Sequence, residues 1–271
     1  MYCGFPYFRP MFTNVLGKNI HYQLIGEEWI KEGCNLLVFL HEGLGSIPQW
    51  KSFPEKLSAE LQLPALVYER VGYGQSDYWE GPLSGKFLHF EALVMLPELL
   101  SALGFKNKII IFGHSDGGTV GLIQSSQAMP QLLGAIIEAP HVMFEEHSLN
   151  GIKEARKLLK NPDVIKVMDR YQSGRAYDLI DRWTGLWIKG NTDDWDAGDG
   201  LKQIKTPLLL IQGENDDFGT FAQIDKVANE AQSDIIEIAK LENCGHIPHL
   251  QQQEKVIELT KNFIQKIANH K

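Results

Sequence analysis

The sequence predicts an α/β protein in which a mostly parallel sheet is covered by helices on both faces. Two observations lead to this fold class. Short apolar runs alternate with longer segments of helical period along most of the chain. In addition, the run 36–40 is continuously apolar, as expected of a strand that is buried on both faces. Alternating strands and helices favour parallel pairing, because parallel strands need a crossover connection.

The first elements follow in a regular order. Residues 12–16 and 19–25 flank Gly17-Lys18 and predict an antiparallel hairpin. The buried strand 36–40 precedes a helix over 48–61, whose apolar side chains recur on one side. Strands and helices then alternate as strand 65–70, helix 84–103, strand 108–113, helix 116–129 and strand 134–139.

The alternation stops after the sixth predicted strand and resumes only at residue 207. Residues 141–206 are helix-like and too long for a plain connection, so they predict a small helical cap. The core then comprises 1–140 and 207–271, with strand 207–213, helix 219–232, strand 235–241 and helix 248–268 in its second part. Three tryptophans of the cap, Trp183, Trp187 and Trp195, either line an apolar acyl pocket or anchor the helical layer.

Composition narrows the possible partners. The net charge of −8 argues against nucleic acid, which needs clustered cations. The longest dense basic patch, Lys153–Lys160, is expected to be a solvated helix face. No window approaches the length of a membrane span, and the aromatic start of the chain is too interrupted for a signal peptide. The three cysteines show neither disulfide nor zinc spacing. We therefore expect a cytoplasmic protein without membrane or nucleic-acid partners; its oligomeric state is left open.

The segment Gly113-His114-Ser115-Asp116-Gly117 fits the pattern G-x-S-x-G. It lies directly between a predicted strand and a predicted helix, which is the setting of a nucleophile elbow. The sharp turn requires small neighbours, and the glycines on either side meet that requirement. Ser115 is therefore the predicted nucleophile.

A serine hydroxyl needs a general base, and nine histidines compete for that role. His246 is preferred, because it lies in a loop between the last predicted strand and the last helix. His249 is the rival, although it falls within the first turn of that helix. His21 and His270 are expected at the surface, and His89 in a packing or surface role.

The imidazole in turn needs a carboxylate that holds it in one tautomer. Asp216 is preferred, because Gly213-Glu214-Asn215-Asp216-Asp217 follows the strand 207–213 at the edge where ligands bind in such sheets. Asp217 is the alternative. Glu138, at the end of another strand, is a weaker rival.

Together these residues resemble the α/β-hydrolase superfamily across nearly the whole chain. The supporting segments are LHEGLGS (40–46), ERVGYGQS (69–76), GHSDGG (113–118), QGENDD (212–217) and NCGHIPH (243–249). The chain order serine, acid, histidine is also that of the superfamily. The resemblance implies an α/β-hydrolase fold, no cofactor and no metal. It also implies an oxyanion hole formed by the main-chain N–H groups of Asp116 and Gly43, with Leu44 as the fallback for Gly43.

One residue departs from the family pattern. Relatives usually carry glycine after the histidine of the oxyanion loop, whereas this sequence reads His41-Glu42-Gly43. A carboxylate near a site that stabilises negative charge is unexpected. Glu42 is therefore expected to point away and to pair with a cation, for which Arg70 is the candidate. Otherwise it faces the oxyanion site or recognises a polar or cationic group of the substrate.

The expected activity is hydrolysis of a small-molecule ester or related acyl bond through an acyl-enzyme on Ser115. Resembling members include carboxylesterases, enol-lactonases and hydrolases of ring-cleavage products. A carbon–carbon bond hydrolase with the same triad is one alternative. A ligand-binding or signalling protein with little turnover is the other. The sequence does not determine the substrate, because a fold does not fix a function.

Overall fold

The structure is a computed structural model that describes residues 11–81, 83–188 and 200–270. Within these ranges eight strands form one sheet in the order β1-β2-β4-β3-β5-β6-β7-β8. The strands are β1 (Met11–Val15), β2 (Lys18–Ile25), β3 (Asn35–Leu40), β4 (Ala65–Tyr68), β5 (Lys108–His114), β6 (Leu132–Glu138), β7 (Leu208–Gly213) and β8 (Ile236–Leu241).

The sheet is mostly parallel, as predicted. The β1–β2 hairpin and the β2–β4 pair are antiparallel, and all pairs from β4 to β8 are parallel. Each predicted strand is present within about two residues of its expected bounds. Because the parallel strands share one direction, β3, β5, β6 and β7 end at the same edge of the sheet.

Helices cover both faces of the sheet. They are α1 (Phe53–Leu61), α2 (Phe87–Phe90), α3 (Leu96–Ala102), α4 (Asp116–Ser125), α5 (Glu146–Leu159), α6 (Pro162–Gln172), α7 (Ala176–Ile188), α8 (Phe221–Glu230), α9 (Pro248–Gln251) and α10 (Gln253–Asn269). The single helix predicted over 84–103 is interrupted by a π-helical segment, Glu91–Met95, between α2 and α3.

The core has one layer on each face of the sheet. Along β3, Leu36 and Val38 pack with α3, α4 and α8, whereas Leu37 and Phe39 pack with α1 and α10. This alternation follows from the period-two geometry of a strand. It explains why the run from Leu36 to Leu40 is apolar at every position, since both of its faces are buried.

Helices α5, α6 and α7 lie between β6 and β7 in the chain and contact one another. They fall in the segment expected to form a cap, and the division into core and cap stays a prediction. Trp195 and most of the glycine- and aspartate-rich tail near 190–200 lie outside the described residues. A search of the described residues found no helix with the length and apolar character of a membrane span.

Candidate active site

Ser115 occupies the sharp turn between β5 and α4. Its φ of 55° lies in the left-handed region, and the side chain is at the amino-terminal cap of α4. Its main-chain N–H donates to the Glu138 carbonyl at 2.9 Å, which ties the turn to the end of β6. A non-glycine residue in this conformation carries local strain, as is common at functional sites.

The glycines around Ser115 are required by close backbone contacts. A Cβ on Gly113 would lie 2.3 Å from the Gly117 carbonyl oxygen, and a Cβ on Gly117 would lie 1.9 Å from the Leu40 carbonyl oxygen. Both distances are far below any real contact. The requirement for small neighbours, predicted from the motif, therefore has a direct steric cause.

His246 lies with one ring nitrogen on Ser115 and the other on Asp216. The Nε2–Oγ distance to Ser115 is 3.0 Å, and Nδ1 is 2.8 Å from Asp216 Oδ2 and 2.9 Å from Oδ1. An ionised carboxylate only accepts hydrogen bonds, so Nδ1 carries the proton. The Nε2 lone pair is then free to accept the serine proton, which is the arrangement that a general base requires.

Asp216 is buried and held by further donors. The Gln212 side-chain amide donates to Oδ2 at 2.6 Å, and the Phe218 N–H donates to Oδ1 at 2.7 Å. Burial alone would raise the pKa of Asp216, but the neighbouring His246 and the hydrogen bond from the Phe218 N–H outweigh it and lower that pKa. Asp217, the alternative acid, is exposed, and the structure places no part of it on the histidine.

The rival residues from the sequence form a separate pair. His249 Nδ1 is 2.6 Å from Glu138 Oε2, and both side chains are almost fully buried.

His21 was expected at the surface, and this is wrong: the side chain is buried and its Nδ1 lies 2.8 Å from Glu69 Oε2. The 69–77 loop covers this face of the hairpin, which sequence periodicity does not reveal.

The loop after β3 is held by hydrogen bonds to one carbonyl. The main-chain carbonyl oxygen of Glu42 accepts hydrogen bonds from His41 Nδ1 at 2.7 Å, from the Arg70 guanidinium at 2.7 Å and from the Gly45 N–H at 3.0 Å. In a trans peptide the N–H points opposite to the carbonyl, so the Gly43 N–H is directed away from these donors. Gly43 and Leu44 line the same cavity as Ser115.

The Glu42 side chain turns back along its own loop. Oε1 accepts from Gln49 Nε2 at 3.3 Å, and Oε2 lies 3.9 Å from His114 Nδ1. The predicted partner was wrong, because the Arg70 guanidinium binds the main-chain carbonyl of Glu42 and not its carboxylate. Burial opposes ionisation, but His114 dominates and lowers the pKa of Glu42 to about 2.

A cavity of about 280 Å³ opens onto Ser115 and His246. Its walls are mainly apolar and include Leu44, Ala155, Leu158, Leu159, Trp183 and Phe218. Among the described residues that line it, Glu42 is the only one with a permanent charge. A second cavity of about 240 Å³, lined by Arg70, Trp79 and Glu91, does not include Ser115.

Helices α6 and α7 are hydrogen-bonded to residues at the carboxyl-terminal edge of the sheet through one side chain each. Trp183 Nε1 donates to Asp116 Oδ2 at 3.0 Å, and its ring covers Gly43. Gln172 Nε2 donates to the Leu44 carbonyl at 2.8 Å, and its Oε1 accepts from the Gly74 N–H at 2.8 Å. Sequence reasoning missed Gln172; a glutamine near the end of a polar helix carries no signal of such a role.

A serine on a strand–turn–helix elbow, met by a histidine and a carboxylate from later strand ends, defines the α/β class of hydrolases. No group of three or more potential metal ligands occurs in the part of the chain that the structure describes. The chemistry that the arrangement offers is proton transfer from a serine hydroxyl to an oriented imidazole.

Comparison with known proteins agrees with this class. The sequence profile of the Alpha/beta hydrolase family matches residues 37–259. A proline iminopeptidase of Saccharolobus solfataricus is 23% identical, covering 94% of this chain and 92% of its own. A serine hydrolase from the polyaromatic hydrocarbon-degrading bacterium Cycloclasticus zankles shares the fold, with a TM-score of 0.76, 16% identity, and 95% and 98% of the two chains covered. An esterase from Thermogutta terrifontis superposes with a TM-score of 0.68 at 16% identity, covering 96% of this chain and 99% of its own.

The chain belongs to the Alpha/beta hydrolase family and is a hydrolase.

Proposed function

We propose that the protein hydrolyses a small, uncharged carboxylic ester through an acyl-enzyme on Ser115. The observation that carries the proposal is the hydrogen-bonded series Ser115–His246–Asp216 at the floor of an apolar cavity. His246 takes the proton as Ser115 Oγ bonds to the carbonyl carbon, and returns it to the leaving alcohol. Water, deprotonated by the same histidine, then releases the acid.

The developing oxyanion is proposed to bind the main-chain N–H groups of Asp116 and Gly43. Asp116 is the first residue of α4, where N–H groups have no partner within the helix. The fixed carbonyl of Glu42 directs the Gly43 N–H away from Arg70 and supports the second donor. Helices α5–α7 are proposed to act as a lid, which keeps water from the acyl group.

The mainly apolar lining of the cavity favours a substrate with an uncharged acyl group. Apolar side chains bind alkyl or aromatic acyl groups through burial. A ring-cleavage dienoate is an anion, and the described lining offers it one carboxylate and no lysine or arginine. We therefore favour ester hydrolysis over carbon–carbon bond hydrolysis as the activity of this protein.

A second candidate is an aminopeptidase that acts on a substrate with a free amino group. The ionised Glu42 at the cavity could accept an ammonium group, and the iminopeptidase relatives are peptide hydrolases by name. Prolyl-p-nitroanilide tests this activity directly.

The decisive experiment combines a fluorophosphonate probe with a panel of p-nitrophenyl esters from acetate to octanoate. We expect labelling of Ser115 in the wild type, its absence in Ser115→Ala, and the highest kcat/KM on an uncharged ester. Turnover of the prolyl anilide but not of any ester would move the assignment to the aminopeptidase. Labelling without turnover of either substrate would favour a binding protein.

A further inference from the structure

His114 lies where three parts of the site meet. It is the last residue of β5, directly before Ser115, and its side chain is 1% exposed. One ring nitrogen, Nε2, lies 2.7 Å from the main-chain carbonyl oxygen of His246. The other, Nδ1, lies 3.9 Å from the Glu42 carboxylate. The residue thus spans the loop of the proposed base and the loop of the proposed oxyanion donor.

The hydrogen-bond partners determine where the ring carries its protons. A carbonyl only accepts, so Nε2 of His114 must be the N–H donor. In a neutral ring the lone pair of Nδ1 would then face the carboxylate of Glu42, which is repulsive. A second proton on Nδ1 replaces this repulsion with an ion pair, and the carboxylate accordingly raises the pKa of His114 against the effect of burial.

Arg70 is a permanent cation beside this loop, but its guanidinium binds the main-chain carbonyl of Glu42 and not the carboxylate. None of the other described groups around His114 offers the Glu42 carboxylate a comparable cation. His41 is neutral, because its Nδ1 donates to the Glu42 carbonyl and its Nε2 accepts the main-chain N–H of Arg70. Burial and the charge of Arg70 also lower the pKa of His41 to about 3. The rings of His246 and His249 each lie 5.0 Å from that of His114, and His249 is paired with Glu138. Gln49 gives Glu42 only a neutral donor.

We propose that His114 is a positioning residue which, as an imidazolium, neutralises Glu42 and holds the His246 loop against the oxyanion loop. The pair explains how a carboxylate is tolerated beside a site that must stabilise an oxyanion. It also binds the two loops to the strand that carries Ser115. Activity should therefore fall at alkaline pH, when His114 loses its second proton and the charge of Glu42 is left uncompensated. The consequence for catalysis rests on the proposed function, whereas the ion pair itself does not.

The test uses full-length Glu42→Gln, His114→Gln and the double variant, with His21→Gln as the matched control. His21 belongs to a buried histidine–carboxylate pair that does not line the catalytic cavity. Two readouts are followed against pH: ¹⁵N-histidine NMR of His114, and the rate of fluorophosphonate labelling together with kcat/KM on an uncharged p-nitrophenyl ester.

We expect His114 to titrate at least about one pH unit higher in the wild type than in Glu42→Gln. The alkaline loss of reactivity should disappear in Glu42→Gln and His114→Gln and remain in His21→Gln. At neutral pH, the kcat/KM of His114→Gln should be tenfold or more below that of the wild type. Adding Glu42→Gln should restore part of that loss, because it removes the unpaired charge. A purely structural histidine would show no such rescue.

Equal titration of His114 in the wild type and Glu42→Gln would overturn the ion pair. A double variant no better than His114→Gln, or an alkaline loss unchanged in Glu42→Gln, would overturn its role in positioning. If His114→Gln does not fold, the Glu42→Gln data decide both points. If the wild type neither reacts with the probe nor hydrolyses any ester, the proposed function fails, and the NMR titration still decides the ion pair.

Discussion

Replacing Asp216 with asparagine should separate the orienting carboxylate from its exposed neighbour. The carboxylate accepts hydrogen bonds from His246 Nδ1, Gln212 Nε2 and the Phe218 N–H in a buried position. An amide has one accepting oxygen in place of two, and its NH₂ must face one of these donors. Gln212 and Phe218 donate to different oxygens of Asp216, so in either rotamer one of them loses its acceptor. The NH₂ group can then donate to the imidazole and hold the wrong tautomer.

The magnitude follows from this geometry. A wrong tautomer costs roughly 10⁴-fold in kcat in a well-studied triad, which corresponds to about 5.5 kcal/mol of transition-state stabilisation. One unpaired buried donor adds about 1–3 kcal/mol of lost stability. Asp216→Asn should therefore be nearly inactive and melt several degrees lower, at roughly 2–4 °C per kcal/mol.

The assay is kcat/KM on an uncharged p-nitrophenyl ester, with thermal melting of the same samples. Asp217→Asn is the matched control: its side chain is exposed, and we expect activity within about twofold of the wild type and an unchanged melting temperature. The reasoning is refuted if folded Asp216→Asn keeps a tenth of the activity, or if Asp217→Asn is the inactive variant.

Three further predictions follow from the same site. Ser115→Ala should lose about a thousandfold or more in kcat without a lower melting temperature, and residual activity of a tenth would mean another nucleophile. Gly43→Ala should lose tenfold or more in kcat/KM, because its Cβ would lie 2.2 Å from Trp183 Nε1; Gly185→Ala, whose Cβ would meet nothing nearer than 3.7 Å, is the control expected to keep full activity. His41 alone should lower the free energy of unfolding by about 2 kcal/mol between pH 7 and pH 5; the lowered pKa values of His141 and His249 add to this fall, and the raised pKa of His114 opposes it. The pKa of His41 is lowered to about 3 by burial and by Arg70, so only the unfolded chain gains that proton as the pH falls through about 6.5, and urea denaturation at both pH values measures the difference.

The fold was predictable because its signals are local. Continuous apolar runs such as Leu36–Leu40 identify buried parallel strands, and helical periods identify the layers that cover them. The elbow at Ser115 was equally readable, since the turn demands glycines at fixed offsets. These features depend on neighbours in the chain, which is what a sequence records.

The pairing of charged side chains was not predictable in the same way. Arg70 was assigned to the Glu42 carboxylate, yet it binds the carbonyl of that residue, and His114 lies at the carboxylate instead. Whether a cation meets a side-chain or a main-chain oxygen depends on the local geometry of the loop, which a residue type does not specify. Opposite charges in a motif therefore indicate proximity and not the atoms that meet.

Histidine beside a carboxylate is not by itself the signature of a general base in this protein. Among the described residues, three such pairs lie within hydrogen-bond distance, His21–Glu69 at 2.8 Å, His249–Glu138 at 2.6 Å and His246–Asp216 at 2.8 Å, and His114–Glu42 is a longer one at 3.9 Å. The three short pairs have equivalent distances, and the carboxylate is nearly fully buried in each of them. Only the His246 ring keeps appreciable exposure, 16%, and only its second nitrogen lies on a serine hydroxyl. The proposed base is therefore distinguished by two features, an accessible ring and a serine hydroxyl at the second ring nitrogen. His249, a rival by sequence, lacks both features, because its ring packs against Trp50 and Phe53.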